Sequence, residues 1–309
     1  MAHSKHTTKW LISGPPLLYL LIFFAIPSLI MAFAAFRFPG DYGGLMPLVS
    51  TSDAGASTWL INQNNWREFL TLENFLRFVE DKVYVELFIK SFWYAGLTTL
   101  VCLVMAYPLA WLIARSARKT RDLLVLLVIL PFWSNFLIRV YAWMIILGPQ
   151  SYFSSTLNKV LAVFGIEPVS LLFSQFAVIV GLVYVHLPFM VLPLYANLEK
   201  HDMTLLDAAQ DLGANAWQRF WKVTWPLSLP GVWAGVALVF IPALGMFAIP
   251  DLLGGTNSMM VGNLIKQQFL DSRDWPFGSV LSIMLTLTVL LLAAIASWAG
   301  SRHKKKGKK

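Results

Sequence analysis

Along its apolar runs this sequence places few side chains able to do chemistry: Cys102, Arg139 and His186 within them, and Asp251 immediately after Pro250. A lone thiol and a lone imidazole on different runs form no nucleophile and base pair, so the spans offer no constellation for an intramembrane enzyme. A proton or sodium relay needs intramembrane carboxylates, which are equally scarce, and this weighs against an ion-coupled transporter. One cysteine excludes an internal disulfide and a multi-cysteine metal site, so no metal is expected. No G-x-x-x-x-G-K-[ST] phosphate loop occurs, so any ATP and Mg would be held by another subunit, with no catalytic residue or cofactor on this chain. What remains are groups that hold a cation by contact. Trp133, Asn135 and Tyr141, then Tyr184, then Asp251 supply aromatic faces, an amide and a carboxylate that could line a route for one. Ordinary packing or interface anchoring competes for each aromatic, and a solvated loop position for Asp251. Arg139 would repel a cation and is assigned a structural or gating role, with Asp251 as a partner.

The densest polar signal is residues 199–230, EKHDMTLLDAAQDLGANAWQRFWKVTWPLSLP, too polar to cross a bilayer and too regular for a random loop. Thr204 and Asp207 have capping-pair spacing and predict a short helix; Asn215 and Gln218 repeat it and predict a second. Gly213 between them suits the left-handed turn that ends a helix. Leu206, Ala209, Gln210 and Gly213 would then share one side, while small Ala208 and Ala209 admit another surface closely. An interfacial amphipathic helix with a purely structural role is the competing reading. Phe220, Trp221 and Trp225 belong at a membrane interface.

These residues must be positioned by apolar spans. With 57% hydrophobic and 13% charged residues and a mean hydropathy of +0.64, the chain is far from a soluble composition of about 25% charged. Runs of about 20 apolar residues, the length that crosses a bilayer, fall at residues 10–36, 91–114, 123–148, 171–198, 228–250 and 277–300. The fold class is therefore an all-α integral membrane protein with six transmembrane helices in one transmembrane domain, 1–309. The first run is too long for a signal peptide and is read as an uncleaved helix. Arg139 lies 16 residues beyond Leu123, about 24 Å along a straight helix, near the far boundary of a hydrocarbon core of about 30 Å. Prolines 27, 108, 131, 188, 193, 242 and 250 kink or end these spans.

The net charge of +8 would point to nucleic acid in a soluble protein, but here the basic residues sit between spans and in the KKKGKK tail. Segments 1–9, 115–122, 199–222 and 302–309 hold 15 Lys and Arg against 8 on the opposite loops, which sets both termini in the cytoplasm. The opposite loops, 37–90 above all, hold 11 of the 16 acidic residues, a mildly negative vestibule that favours a cationic solute. No nucleic-acid partner is expected; the lipid bilayer is.

At residues 207–226 the sequence resembles the permeases of ATP-binding-cassette importers. Their cytoplasmic loop has the pattern E-A-A, three residues, G, nine residues, I-x-L-P. Here it reads Asp207, Ala208, Ala209, then Gly213, then Val223, Trp225 and Pro226. Asp replaces Glu and Trp replaces Leu, each keeping its chemical character. The segments 130–143, 187–200, 240–255 and 262–279 extend the resemblance to the polyamine (spermidine/putrescine) permeases of that family. The resemblance implies a type I importer fold in a bacterial inner membrane, with the loop 199–226 carrying a cytoplasmic coupling helix. It implies that Asp207 to Gly213 dock on an ATPase dimer. It also implies a second homologous permease and an extracytoplasmic binding protein that delivers polyamine. A permease for another small solute is the alternative.

Overall fold

The computed structural model describes residues 13–47, 49–51, 57–59 and 70–306. The charged segment 1–9 and the last three residues of the basic tail lie outside the described residues. Among the described residues the fold is helical, with one antiparallel ribbon, β1 (Val49–Thr51) and β2 (Ser57–Trp59), which pairs Val49 with Trp59 inside the long first loop. Eleven helical stretches are used below. They are α1 (Ser13–Ala34), α2 (Glu73–Glu80), α3 (Lys82–Arg115), α4 (Arg118–Ile129), α5 (Phe136–Leu147), α6 (Tyr152–Val163), α7 (Gln175–Leu198), α8 (Thr204–Asp211), α9 (Ala216–Leu244), α10 (Val261–Lys266) and α11 (Trp275–Lys306).

Five of these, α1, α3, α7, α9 and the Trp275–Ala294 part of α11, are unbroken and apolar enough to cross a membrane. The remaining span, third in chain order, departs from the straight helix expected over 123–148. It runs as α4, tightens into a 3-10 turn over Leu130–Trp133, stops, and resumes as α5, with a bend of 91° between residues 118–133 and 136–163. The cause is local. Pro131 supplies no amide hydrogen, Ser134 and Asn135 take extended backbone, and the Asn135 side chain caps α5 by accepting from Leu137 N at 2.8 Å. A ruler laid along a straight helix therefore does not give the depth of Arg139. The fifth span also differs in extent. It is continuous from Ala216 and ends at Leu244, and Pro250–Gly254 is a separate wide turn with π-type bonding. At 34 residues, about 51 Å, α3 outruns the hydrocarbon core and carries Lys82, Glu86 and Lys90 in its first turns.

The chain divides into two compact units, one of residues up to 85 and from 264 onward, the other of 86–263. In the first, α11 packs on α1 and α2. The Asp274 carboxylate there accepts from Phe277 N at 3.1 Å, capping α11, and pairs with Arg77 at 2.9 Å. In the second, α7 and α9 form the central pair. Gly231 and Gly235, one turn apart, let the two backbones approach. A Cβ on Gly231 would stand 2.7 Å from Asn197 Cβ and 3.1 Å from Pro193 O, and one on Gly235 would stand 2.6 Å from the Met190 sulfur. Cys102, Ala106, Ala110 and Ile113 of α3 complete that core with Met190, Leu194 and Leu198 of α7 and Val232 and Val239 of α9. A second core gathers Tyr94, Val140, Leu147, Leu182, Ile249 and Leu253.

Candidate functional site

The loop between α7 and α9 folds as the helix, glycine turn and helix that its spacing predicts. α8 starts at Thr204, but Thr204 and Asp207 do not cap it; the Asp202 carboxylate does, accepting from Thr204 N at 3.0 Å. Asp is short enough to reach an amide two residues on, and Asp202 precedes the helix where Asp207 already lies inside it. The second pair behaves as expected. Gln218 N donates to Asn215 Oδ1 at 2.8 Å and Asn215 N to Gln218 Oε1 at 3.1 Å, a reciprocal capping box. Gly213 sits at φ +82° with open space where a Cβ would project.

This pair presents rather than hides its key residues. Asp207, Ala208, Gly213 and Pro226 are exposed and Ala209 is half-buried, with Leu212 88% and Trp217 70% exposed beside them. Leu212 and Trp217 leave apolar area at the surface beside the polar residues of this loop. Behind it, Phe220, Trp221 and Trp225 pack on one another and on Tyr107 of α3, with ring centroids 5.1 to 6.3 Å apart, and tie the second helix to the bundle. His201, half-buried at the root of α8, has its pKa lowered by burial and by the charge of Arg115, against a backbone bond at Leu227. Sequence reading missed a contact nearby. Arg121 of α4 pairs with Glu199, the residue that caps α7, at 2.6 Å.

The residues named for a solute route divide. Trp133 is 73% exposed, Tyr141 is also exposed, and Asn135 is an exposed helix cap rather than a buried amide in need of a partner. Around the break, Ser134 takes the Pro131 carbonyl with both its amide, at 3.3 Å, and its hydroxyl, at 2.7 Å. The carbonyls of Phe132 and Trp133, which end the half-helix, receive no hydrogen bond among the described residues. Unpaired carbonyls within a span are tolerated where they line a wet cavity or meet another chain. Tyr184 is half-buried and packs edge-on against Trp143 at 5.6 Å, a packing role. Asp251 accepts from the Asn263 amide, which also donates to Phe247 O at 2.9 Å, so an asparagine distant in sequence positions this carboxylate. Arg139 does not take Asp251 as its partner. Its guanidinium lies over the rings of Phe132 and Phe136, 5.4 and 6.0 Å from their centroids, just beyond the bend. His186 is buried and bonded to Leu182 O at 2.8 Å, as a structural histidine would be.

Residues 83–306, most of the chain, match the family model described as binding-protein-dependent transport system inner membrane component. The chain belongs to this family of membrane transport components. Among curated relatives of this permease is the spermidine/putrescine transport system permease protein PotB of Escherichia coli (strain K12). The two are 46% identical over 234 residues, which is 75% of this chain and 83% of the relative. The protein of the same name from Haemophilus influenzae is 47% identical over 225 residues, 72% of this chain and 77% of that one. Among solved structures, a bacterial ABC transporter involved in the import of the acidic polysaccharide alginate includes a chain that superposes with a TM-score of 0.66. That match covers 97% of this permease and 98% of the other chain at 16% identity, so the likeness is one of fold.

Proposed function

We propose that this permease is the pathway subunit of an ATP-driven importer of polyamines of the spermidine and putrescine type. Its termini are cytoplasmic, and α8 with Gly213 docks on a partner ATPase. The carrying observation is the 46% identity to a polyamine permease over three quarters of the chain. The geometry supports it at both ends. The exposed face of Asp207, Ala208 and Leu212 suits a groove on an ATPase dimer, and the break in span three suits ammonium groups. A polyamine ammonium is a hydrogen-bond donor with a positive charge; the carbonyls of Phe132 and Trp133, the ring of Trp133 and the phenol of Tyr141 are acceptors and π faces without fixed charge. Such groups hold a cation weakly enough to release it, as passage requires. Asp251, which accepts from Asn263, is a carboxylate in the turn that packs on α5.

Energy and selection come from partners. ATP and Mg belong to the ATPase dimer, a second homologous permease completes the pathway, and an extracytoplasmic binding protein delivers the solute. Reconstitution of this chain with its ATPase, second permease and binding protein tests the reading. Spermidine-loaded or putrescine-loaded binding protein should stimulate ATP hydrolysis and uptake. If neither does while another small solute does, the substrate assignment falls and the importer remains.

A further inference from the structure

We infer that the Arg121–Glu199 ion pair is the strut that makes the lower half of the broken third span move with the coupling helix, the break at Ser134–Asn135 serving as its hinge. The inference rests on the docking role proposed for residues 204–213 and adds the route by which docking reaches the pathway.

α8 is joined through the backbone to α7 on one side and α9 on the other, so these two spans follow it directly. α4 has no such connection, yet α4 ends in the break that carries Phe132 and Trp133. The tie is polar and lies at the root of both elements. Arg121 stands in the first turn of α4, its amide bonded to Ala117 O at 2.8 Å. Glu199 caps α7, its amide bonded to Tyr195 O at 2.9 Å, five residues ahead of α8. The link from Glu199 to α8 is tightly wound: Lys200 N bonds Asn197 O at 3.1 Å, His201 N bonds Leu198 O at 3.2 Å, and Asp202 caps Thr204. A displacement of α8 therefore reaches Glu199 with little slack.

Arg121 and Glu199 meet at 2.6 Å with side chains 23% and 37% exposed. A short, charge-assisted pair whose arginine is largely withdrawn from water is stiffer than a fully solvated ion pair. Above it, Leu124, Val125 and Val128 lean on the core shared by α3, α7 and α9. Apolar contacts of this kind permit sliding, and the ion pair fixes the register. Trp133, where the half-helix ends, lies about 20 Å along the helix beyond Arg121, and the extended backbone of Ser134 and Asn135 interrupts the helix just after it. A lever tied at one end and hinged at the other would swing Phe132 and Trp133 as α8 moves.

The test uses the full complex in vesicles with spermidine-loaded binding protein, reading uptake per ATP hydrolysed. Arg121→Gln and Glu199→Gln should keep stimulated hydrolysis within about twofold while uptake per ATP falls about fivefold or more, and the exchanged pair Arg121→Glu with Glu199→Arg should recover most of the ratio. Unchanged ratios in the single variants, or an exchanged pair no better than either, would overturn the strut. A purely structural contact would lower assembly and hydrolysis together. A second readout needs no substrate. In a Cys102→Ala background, Arg121→Cys with Glu199→Cys should cross-link equally well in nucleotide-free and vanadate-trapped complexes, and a loss of cross-linking on trapping also overturns the proposal. Gly213→Val separates the two ideas. If it stays coupled, the docking reading fails and takes the strut with it; if it uncouples while the Arg121 and Glu199 variants stay coupled, the strut falls alone.

Discussion

Gly213 stands at φ +82° with nothing near the position of a Cβ, so a side chain there meets conformational strain and no clash. The left-handed region costs an ordinary L-residue about 1–2 kcal/mol, and Asn less. Gly213→Asn should therefore keep the loop and its coupling, Gly213→Ala should destabilise it by about 1 kcal/mol, and Gly213→Val by more. Proteolytic nicking of residues 199–222 would rank the three, and equal resistance would contradict the strain argument. His201 gives a pH prediction with a definite sign. Burial first, and then Arg115, hold its pKa below the ordinary histidine value, while the bond at Leu227 opposes them. Above the ordinary value of about 6.5 the ring is neutral in both folded and unfolded chains, and nothing is lost. As pH falls below it the unfolded chain takes up the proton first, so folded stability declines and levels off once pH passes the lower folded value. Thermal unfolding between about pH 7.5 and pH 5 should show this decline, and His201→Gln should remove part of it.

At the scale of elements, packing of α7 on α9 depends on Gly231 and Gly235. Because Pro193 O is backbone and the Asn197 contact is a Cβ, neither can swing away from a methyl group at 231. Gly231→Ala should thus lower stability by about 1–3 kcal/mol, the range for overpacking, whereas Gly245→Ala, where the added Cβ meets nothing, should be near neutral. Detergent thermal stability of the pair tests the contrast. These elements also mark what sequence reading reaches. Apolar length finds the spans because bilayer thickness sets it, and the turn at Gly213 with the Asn215–Gln218 box is legible because the interactions are local. The break in span three is passed over because Leu-Pro-Phe-Trp-Ser-Asn is uncharged, and hydropathy continues through a bend that only Pro131 and the Asn135 cap announce. The Arg121–Glu199 and Asn263–Asp251 contacts join residues far apart in sequence, and no periodicity encodes such pairs.

For the whole molecule, the asymmetry of 15 against 8 basic residues argues for the same side of the membrane that the proposed docking of α8 on an ATPase requires. The two arguments are independent, and labelling tests them together. The lone Cys102 is buried, so the chain offers little background to a membrane-impermeant thiol reagent. Single cysteines at exposed Lys119 and Lys222 should react only after cells are permeabilised, and those at exposed Tyr152 and Glu167 should react in intact cells. The opposite pattern would place α8 outside, away from any ATP, and remove the docking role along with the orientation. A cysteine at exposed Asp211 adds the last discrimination. If α8 sits in a partner's groove, Asp211→Cys should react in permeabilised cells lacking the ATPase and be protected when it is present, while Lys119→Cys reacts in both. Protection of neither would leave the orientation standing and α8 without its partner.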